Sequence, residues 1–443
     1  MNQLLGRAVA MTQLLGEQAS NPADPQQLEA LINCVSDLLD QGYSTEALDL
    51  CRRAEQWIQS LEPAAALRVG AVHLRALYKL NQGAECLAEA RRLRESFRAA
   101  WHQEFEAAAS IATFEAGALL LLMRVPEALE LLGRVRRDLL SHPDSALLAS
   151  CCCVISHAHI RNARWGDART ASLEAIVSAQ RVGSDYWEGQ GSLNLAIAER
   201  GRARWVIAVE AAAHAVGRFA KIGNLNLEAH ARRSLAITQW KRGKLAEALE
   251  EATACVEQGE SSGHLTNLQY AYLLRTVIQT HAGSFDGALA DLKSVRSELE
   301  PGDSSRPALL AIEYMGDVFL EQGRGDQALE QYEAVWPRAL ALVPRGDIVA
   351  ELRHRMAECH FLAGKHAKAV EWCEGSLEHA RELGDRRAEG AALGNLGTLL
   401  SVEGRAEEAL HCTEGALAIA REIGDRRSEG ISVGNRGDML HAM

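Results

Sequence analysis

The sequence predicts an all-α protein built of helical hairpins stacked in a row. Three observations predict it: a composition of strong helix formers, small residues that recur about every 40 positions, and apolar residues spaced three and four apart around them.

Composition comes first. Ala, Leu, Glu and Arg dominate the chain, and all four favour helix. Of 443 residues, 47% are apolar, enough for a large core, while aromatics are only 5% and Pro only 9 residues. Long β-branched runs are missing.

The repeat sets the architecture. Gly384-Asp385-Arg386-Arg387-Ala388-Glu389-Gly390 returns 40 residues later as Gly424-Asp425-Arg426-Arg427-Ser428-Glu429-Gly430. Gly394-Asn395-Leu396-Gly397 likewise returns as Gly434-Asn435-Arg436-Gly437. Stepping back from Ala409 by 40 or 41 gives Ala369, Ala328, Ala288, Ala248, Ala208, Ala168, Ala128, Ala88 and Ala47. Twelve residues before these lies a second row: Val35, Ala76, Ala116, Ser156, Ala196, Ala236, Thr276, Gly316, Ala357 and Gly397, continued by Gly437. Five residues before each Ala, seven units carry Gly: Gly42, Gly83, Gly243, Gly283, Gly323, Gly364 and Gly404. Met123, Ala163 and Ala203 replace it in the middle units.

This spacing has a direct physical meaning. A small residue midway along one helix (A) and Ala in the next (B) let two antiparallel helices approach closely. Gly between them ends the first helix as a left-handed cap. Apolar residues such as Leu393, Leu396, Leu399 and Leu400 mark the buried face. One hairpin cannot bury that face alone, so neighbours must stack.

A small residue, Gly, Ala, and small residues seven further on (Ala175, Ala215, Cys255, Ser376, Ala416) together resemble the tetratricopeptide repeat. The resemblance covers about residues 28–443 and implies a right-handed superhelical solenoid of about ten hairpins plus part of an eleventh. The period of 40 departs from the family's usual 34, the family's early Trp is absent, and Pro does not punctuate the repeat ends. Leu80 to Glu95 and Arg161 to Arg181 match poorly beyond their Ala. The Gly-Asp-Arg-Arg-x-Glu-Gly version is similar to repeats in bacterial multidomain signalling proteins: kinases, large ATPase-type transcription regulators and partners of caspase-like proteases.

The domain reading has three parts. An opening helix, about Gln3 to Ala19 and set off by Pro22 and Pro25, caps the array (residues 1–21). Residues 28–429 form the solenoid. Residues 430–443 supply a helix A without a helix B, whose apolar face expects a partner; this suits a piece of a longer protein.

Chemistry finds no foothold. Gly243-Lys244 and Gly364-Lys365 lack the earlier Gly of a phosphate loop and follow no strand. Gly430-Ile431-Ser432-Val433-Gly434 falls inside a repeat helix, where a nucleophile elbow needs a strand-to-helix turn. Cys359, His360, His366 and Cys373 do not form two facing ligand pairs, and His157 and His159 point apart on one helix. Glu407 and Glu408 suit the dipole of a helix start. No enzyme, cofactor or metal is expected.

The net charge of −12, from 47 basic against 59 acidic residues, argues against direct nucleic-acid contact. Basic pairs such as Arg91-Arg92, Arg136-Arg137 and Arg386-Arg387 read as solvated helix faces. The longest apolar run, Ala116 to Met123, is too short to span a bilayer. With no signal-peptide pattern, a cytoplasmic setting is expected. The ten Cys read as small apolar residues on helix faces, with Cys151, Cys152 and Cys153 pointing three ways, and not as a disulfide framework.

The resemblance places helix A on the concave side, so its exposed positions are the candidate binding residues. Asn194, Asn395 and Asn435 share one column with Ser234 and Arg355. Asn is a poor helix former, and its amide can donate and accept at once, which suits a peptide backbone. Neighbouring columns add Arg200, Arg233, Trp240, Lys241, Glu313, Asp317 and His354. The expected function is a scaffold or sensor that holds a peptide or partner protein in this groove, with possible docking through the incomplete last repeat. The alternative is a regulatory arm of a larger signalling enzyme or transcription regulator whose effector domain lies outside this chain.

Overall fold

A hairpin forms here because one left-handed residue stops a helix and the residue after it starts the next. At Met123 (φ +62°) the chain turns left-handed, Arg124 N–H bonds Leu119 O at 2.8 Å, and Val125 begins a new helix. Gly323 does the same with φ +75°, and Arg324 N–H bonds Phe319 O at 2.8 Å. The link from one hairpin to the next uses a left-handed Gly followed by a capping side chain. Gly384 has φ +65°, and Asp385 Oδ1 then accepts from the N–H groups of Arg387 and Ala388, both at 3.0 Å.

The computed structural model describes residues 2–17, 25–54, 62–142, 146–262, 265–297, 299, 302–343 and 346–442. Among them every long element is a helix. In chain order these are α1 (Asn2–Glu17), α2 (Pro25–Asp40), α3 (Ser44–Arg53), α4 (Pro63–Lys79), α5 (Gly83–Ser96), α6 (Phe105–Leu121), α7 (Val125–Leu139), α8 (Ala146–Arg161), α9 (Trp165–Arg181), α10 (Asp185–Gly201) and α11 (Trp205–Lys221). Then follow α12 (Leu225–Lys241), α13 (Leu245–Ser262), α14 (Leu265–His281), α15 (Phe285–Ser297), α16 (Arg306–Glu321), α17 (Gly325–Leu342), α18 (Asp347–Leu362), α19 (His366–Leu383), α20 (Arg386–Val402), α21 (Ala406–Ile423) and α22 (Arg426–Ala442). From α2 onward the even helices are the A members of the repeat and the odd ones the B members. The opening helix spans Asn2–Glu17; Ala19 and Pro22 lie outside the described residues.

The small-residue rows hold the hairpins closed. Ala47, Ala128, Ala168, Ala208, Ala248, Ala288, Ala328, Ala369 and Ala409 are fully buried. Across one hairpin Ser156 Oγ donates to Ala168 O at 3.1 Å, and across another Thr276 Oγ1 reaches Ala288 O at 3.5 Å. At Gly397 a Cβ would stand 2.6 Å from Thr413 Oγ1 and 3.0 Å from Ala409 O, so even Ala would force the helices apart.

One unit corrects the sequence register. Ala88 is exposed, and the buried position opposite Leu74 belongs to Cys86, whose Sγ donates to Leu74 O at 3.6 Å. The left-handed residue there is Asn81 (φ +58°), so Gly83 is not the cap but the first residue of α5. Asn supplies this conformation without help from Gly. The poor family match of Leu80 to Glu95 has this cause.

The chain packs as two compact units. The first comprises residues 1–161, 167–195 and 214–228. Its core runs from Leu4 on α1 through Leu38, Leu74, Ile111 and Leu132 to Cys151, Cys152 and Cys153. Its inner side is filled. Arg75 lies over the rings of Tyr186 and Trp187 at 4.9 and 5.3 Å, Lys79 lies over Tyr186 at 4.6 Å, and Tyr78 Oη meets His157 Nδ1 at 3.4 Å.

The second unit comprises residues 162–166, 196–213 and 229–443. Leu273, Leu309, Tyr332 and Val335 centre one cluster of its core, and Leu393, Leu396, Ala409 and Ala416 another. The last helix starts at Arg426, capped by Asp425, and not at Gly430. It is not wholly without a partner either. Met439 is buried in the cluster of Ala409 and Ala416, while Ile431, Val433 and Leu440 stay exposed. All ten Cys are free, and nine are buried. Among the described residues no helix is long and apolar enough to cross a membrane.

Candidate functional site

The A helices of the second unit turn one side each toward a common groove. Ile197 and Arg200 come from α10, His230 to Lys241 from α12, Tyr270 to His281 from α14, Arg306 to Asp317 from α16, and Ile348 to Arg355 from α18. They enclose a cavity of about 720 Å³. Residues four apart on a helix share a face, so one apolar and one polar column per helix suffice to line it. Ile237, Leu273, Leu274, Val277, Leu310 and Ile348 supply apolar wall; Arg200, Arg233, Lys241, Glu351 and Arg355 supply charge.

Several of these groups already hold one another. Arg355 Nε meets Asp317 Oδ1 at 3.1 Å, and Tyr332 Oη donates to the same carboxylate at 2.7 Å. Burial holds the Asp317 carboxyl above its ordinary pKa, against the pull of Arg355. Arg200 donates to Ser234 Oγ at 3.2 Å and lies toward Ser234 O at 3.4 Å. Trp240 meets the His281 ring edge-on at 4.9 Å and carries the Lys241 amine over its face at 3.8 Å. Arg233 sits 5.5 Å above the Tyr270 ring, and burial lowers its pKa.

A second cavity of about 590 Å³ shares Ile197, Arg200, Lys241 and Glu351 with the first. Trp165, Ala203 and Trp205 line one side of it, and His354, Arg387, Asn395, Asp425, Arg427 and Ile431 the other. The sequence model of the tetratricopeptide repeat family matches residues 348–422, the stretch that supplies His354, Arg387 and Asn395. Residues 348–422 carry tetratricopeptide repeats.

The helical array has solved structural relatives. The chain is similar to a Rap protein solved in complex with competence and sporulation factor, at 12% identity, covering 81% of this chain and 99% of that one, with a TM-score of 0.54. It is similar to the apo form of RapI, at 12% identity over 81% and 98% of the two chains, with a TM-score of 0.59. Aspartyl phosphate phosphatase F from Bacillus subtilis matches at 12% identity over 81% and 95%, with a TM-score of 0.52. At such identity the likeness is one of fold. No curated protein sequence matches the chain.

The groove collects most of the sequence-derived candidates. Arg200, Arg233, Trp240, Lys241, Glu313, Asp317 and Arg355 line the first cavity, and His354 and Asn395 the second. Asn395 Nδ2 contacts His354 Nδ1 at 3.0 Å. Asn194 does not belong with them. It lies in the first unit, is buried, and its Nδ2 donates to Cys153 O at 3.0 Å, one A helix bonding its neighbour. Asn435 is half-buried on α22 and lines neither cavity.

Sequence reasoning missed Arg387 and Arg427. It read the paired arginines as solvated faces, yet the two members of each pair diverge. Arg386 is tied to Glu422 and Glu389, with Nη2 to Glu422 Oε2 at 2.6 Å. Arg387 and Arg427 line the second cavity instead. The repetition of the second Arg at an interval of 40 was the available signal. Tyr270, Tyr314 and Trp165 were also missed, because aromatics on a helix face read as core.

Proposed function

We propose that the chain binds a peptide, or an extended segment of a partner protein, in the groove of its second unit. The observation that carries this reading is the cavity of about 720 Å³ lined by the same side of five successive A helices. An apolar floor with charges along it suits a chain that offers side chains at regular intervals. Buried area on the peptide would come from Ile237, Leu273, Val277 and Leu310, and orientation from Arg233, Trp240 and the polar groups around them. The Rap protein solved with competence and sporulation factor, similar in fold, lends support.

The test has two stages. Co-purification from the native host with mass spectrometry names the ligand. The synthetic ligand is then titrated against the wild-type chain, Arg233→Ala and Trp240→Ala. Each variant is expected to lower affinity about 10-fold or more, since aromatic and Arg anchors dominate such interfaces. Affinity unchanged in both variants, with helix content intact, would place the ligand elsewhere and end this reading.

A further inference from the structure

We propose that the second cavity is an oxyanion site, where Arg200, Lys241, Arg387 and Arg427 take a carboxylate or a phosphate carried by the bound peptide. This rests on the peptide-groove reading and adds the ligand's charge and the place of that charge.

Four cations from four separate helices border this one cavity, in a protein whose net charge is −12. Several other arginines are matched. Arg386 has Glu422 and Glu389, Arg405 has Glu408, and Arg355 has Asp317. The four here have no carboxylate within ion-pair distance among the described residues. Arg387 instead lies 5.9 Å from the Trp165 ring centre, and Lys241 lies over Trp240.

The two acids that line the cavity are already engaged. Glu351 meets Arg355 Nη2 at 3.4 Å. Asp425 accepts from the N–H groups of Arg427 and Ser428 and from Ser428 Oγ, as the cap of α22. The cations therefore repel one another, with Glu351 opposing that repulsion at Lys241. The Lys241 pKa falls to about 8, first through burial by the groove walls and then through Arg427 and Arg387, with Glu351 opposing. The Arg200 pKa falls to about 10 through burial and Arg387. A ligand oxyanion would relieve that repulsion, and two guanidinium groups match its oxygens in pairs.

The repeat itself delivers these side chains. In Gly-Asp-Arg-Arg, the Asp caps the A helix, and in the Gly384 unit the first Arg ties to the following B helix through Glu422. The second Arg is left to face the cavity. The site is local: the first cavity also presents Glu313, Asp317 and Glu351, which would repel a long polyanion. That favours a peptide with one acidic or phosphorylated end over a nucleic acid.

The test uses the full chain and calorimetric titration of five probes. These are an Ala-based nonapeptide ending in three Glu, the same peptide with Gln and a C-terminal amide, the same with phosphoserine, inorganic pyrophosphate, and a nine-nucleotide single-stranded RNA. The Glu or phosphoserine peptide is expected to bind at least 10-fold tighter than the Gln peptide. The double variant Arg387→Gln/Arg427→Gln is expected to abolish that preference and any pyrophosphate binding. Arg386→Gln, adjacent and equally charged, is expected to keep both, which controls for folding and bulk charge. A phosphoserine preference assigns phosphate as the group and a Glu preference assigns carboxylate. No charge preference, no heat with any anion, equal loss in Arg386→Gln, or tightest binding of the RNA would each overturn the inference. Loss of the co-purified ligand in Trp240→Ala, without charge preference in the probes, would leave the groove reading standing and this one fallen.

Discussion

Asn224 donates its side-chain N–H to the carbonyl oxygen of Asp40, 2.7 Å away and 184 residues earlier in the chain. The same side chain accepts from Leu227 N–H at 3.0 Å, capping α12. Asn226 adds a bond to Gly42 O at 3.3 Å. Asn224 is almost fully buried, so both of its polar ends are used where water cannot replace them. Replacing it by Ala would leave the Asp40 carbonyl and the cap unmet. The expected cost is about 2 kcal/mol, read by urea unfolding, with faster amide exchange at residues 38–43. Exchange there equal to wild type would show that this contact does not hold the turn.

The register at the second hairpin gives a sharp comparison. Ala128 is fully buried between its helices, and Ala88 is exposed. Ala128→Leu is expected to destabilise by about 1–3 kcal/mol through overpacking. Ala88→Leu is expected to stay within about 0.5 kcal/mol of wild type. Thermal melts of the two variants decide it, and equal losses would mean that Ala88, not Cys86, sits in the closing position.

Met123 is a long side chain at φ +62°, exposed at a turn where most repeats use Gly. The left-handed conformation costs an L residue about 1 kcal/mol, partly offset in the substitution by the greater freedom of Gly in the unfolded chain. Met123→Gly is expected to stabilise by about 0.5 kcal/mol and to raise the melting temperature slightly. A lower melting temperature would show that the Met side chain contributes more than its backbone costs.

Lys79 has its pKa lowered from 10.5 to about 7, first by burial and then by Arg75, with Asp40 opposing. In the unfolded chain it keeps its proton to near 10.5, so between about pH 7 and 10.5 the unfolded state binds more protons than the folded one. Stability from this group therefore rises with pH across that window. Lys79→Met removes the term. The melting temperature of wild type relative to Lys79→Met is expected to climb from pH 7 to pH 10. A constant difference across that range would show that Lys79 titrates normally.

Much of the hairpin plan was legible from residues 40 apart. Ala248 and Ala236 meet in one cluster as their spacing implied. Ser184, Asn224, Asp385 and Asp425 each follow a left-handed Gly and each accept from the helix they precede. The same reasoning failed at Ala88, because a run of matching letters does not reveal a shift of two residues inside one turn. It failed at Asn194 because an amide on a helix serves a neighbouring carbonyl and a ligand equally well by sequence. It passed over Arg387 because two adjacent arginines look alike until a partner carboxylate, Glu422, is found for one of them.

The sequence by itself determined that the chain folds as successive helical hairpins and which small residues close nearly all of them. Those features depend on residues within one period of each other, and small side chains, caps and apolar spacing are local properties. Only the tertiary structure decided which inner faces are filled and which stay open. Tyr186 and Trp187 close over Arg75 in the first unit, whereas the A helices from Ile197 to Arg355 leave a cavity. Contacts spanning well over a hundred residues make that difference, and no periodicity records them.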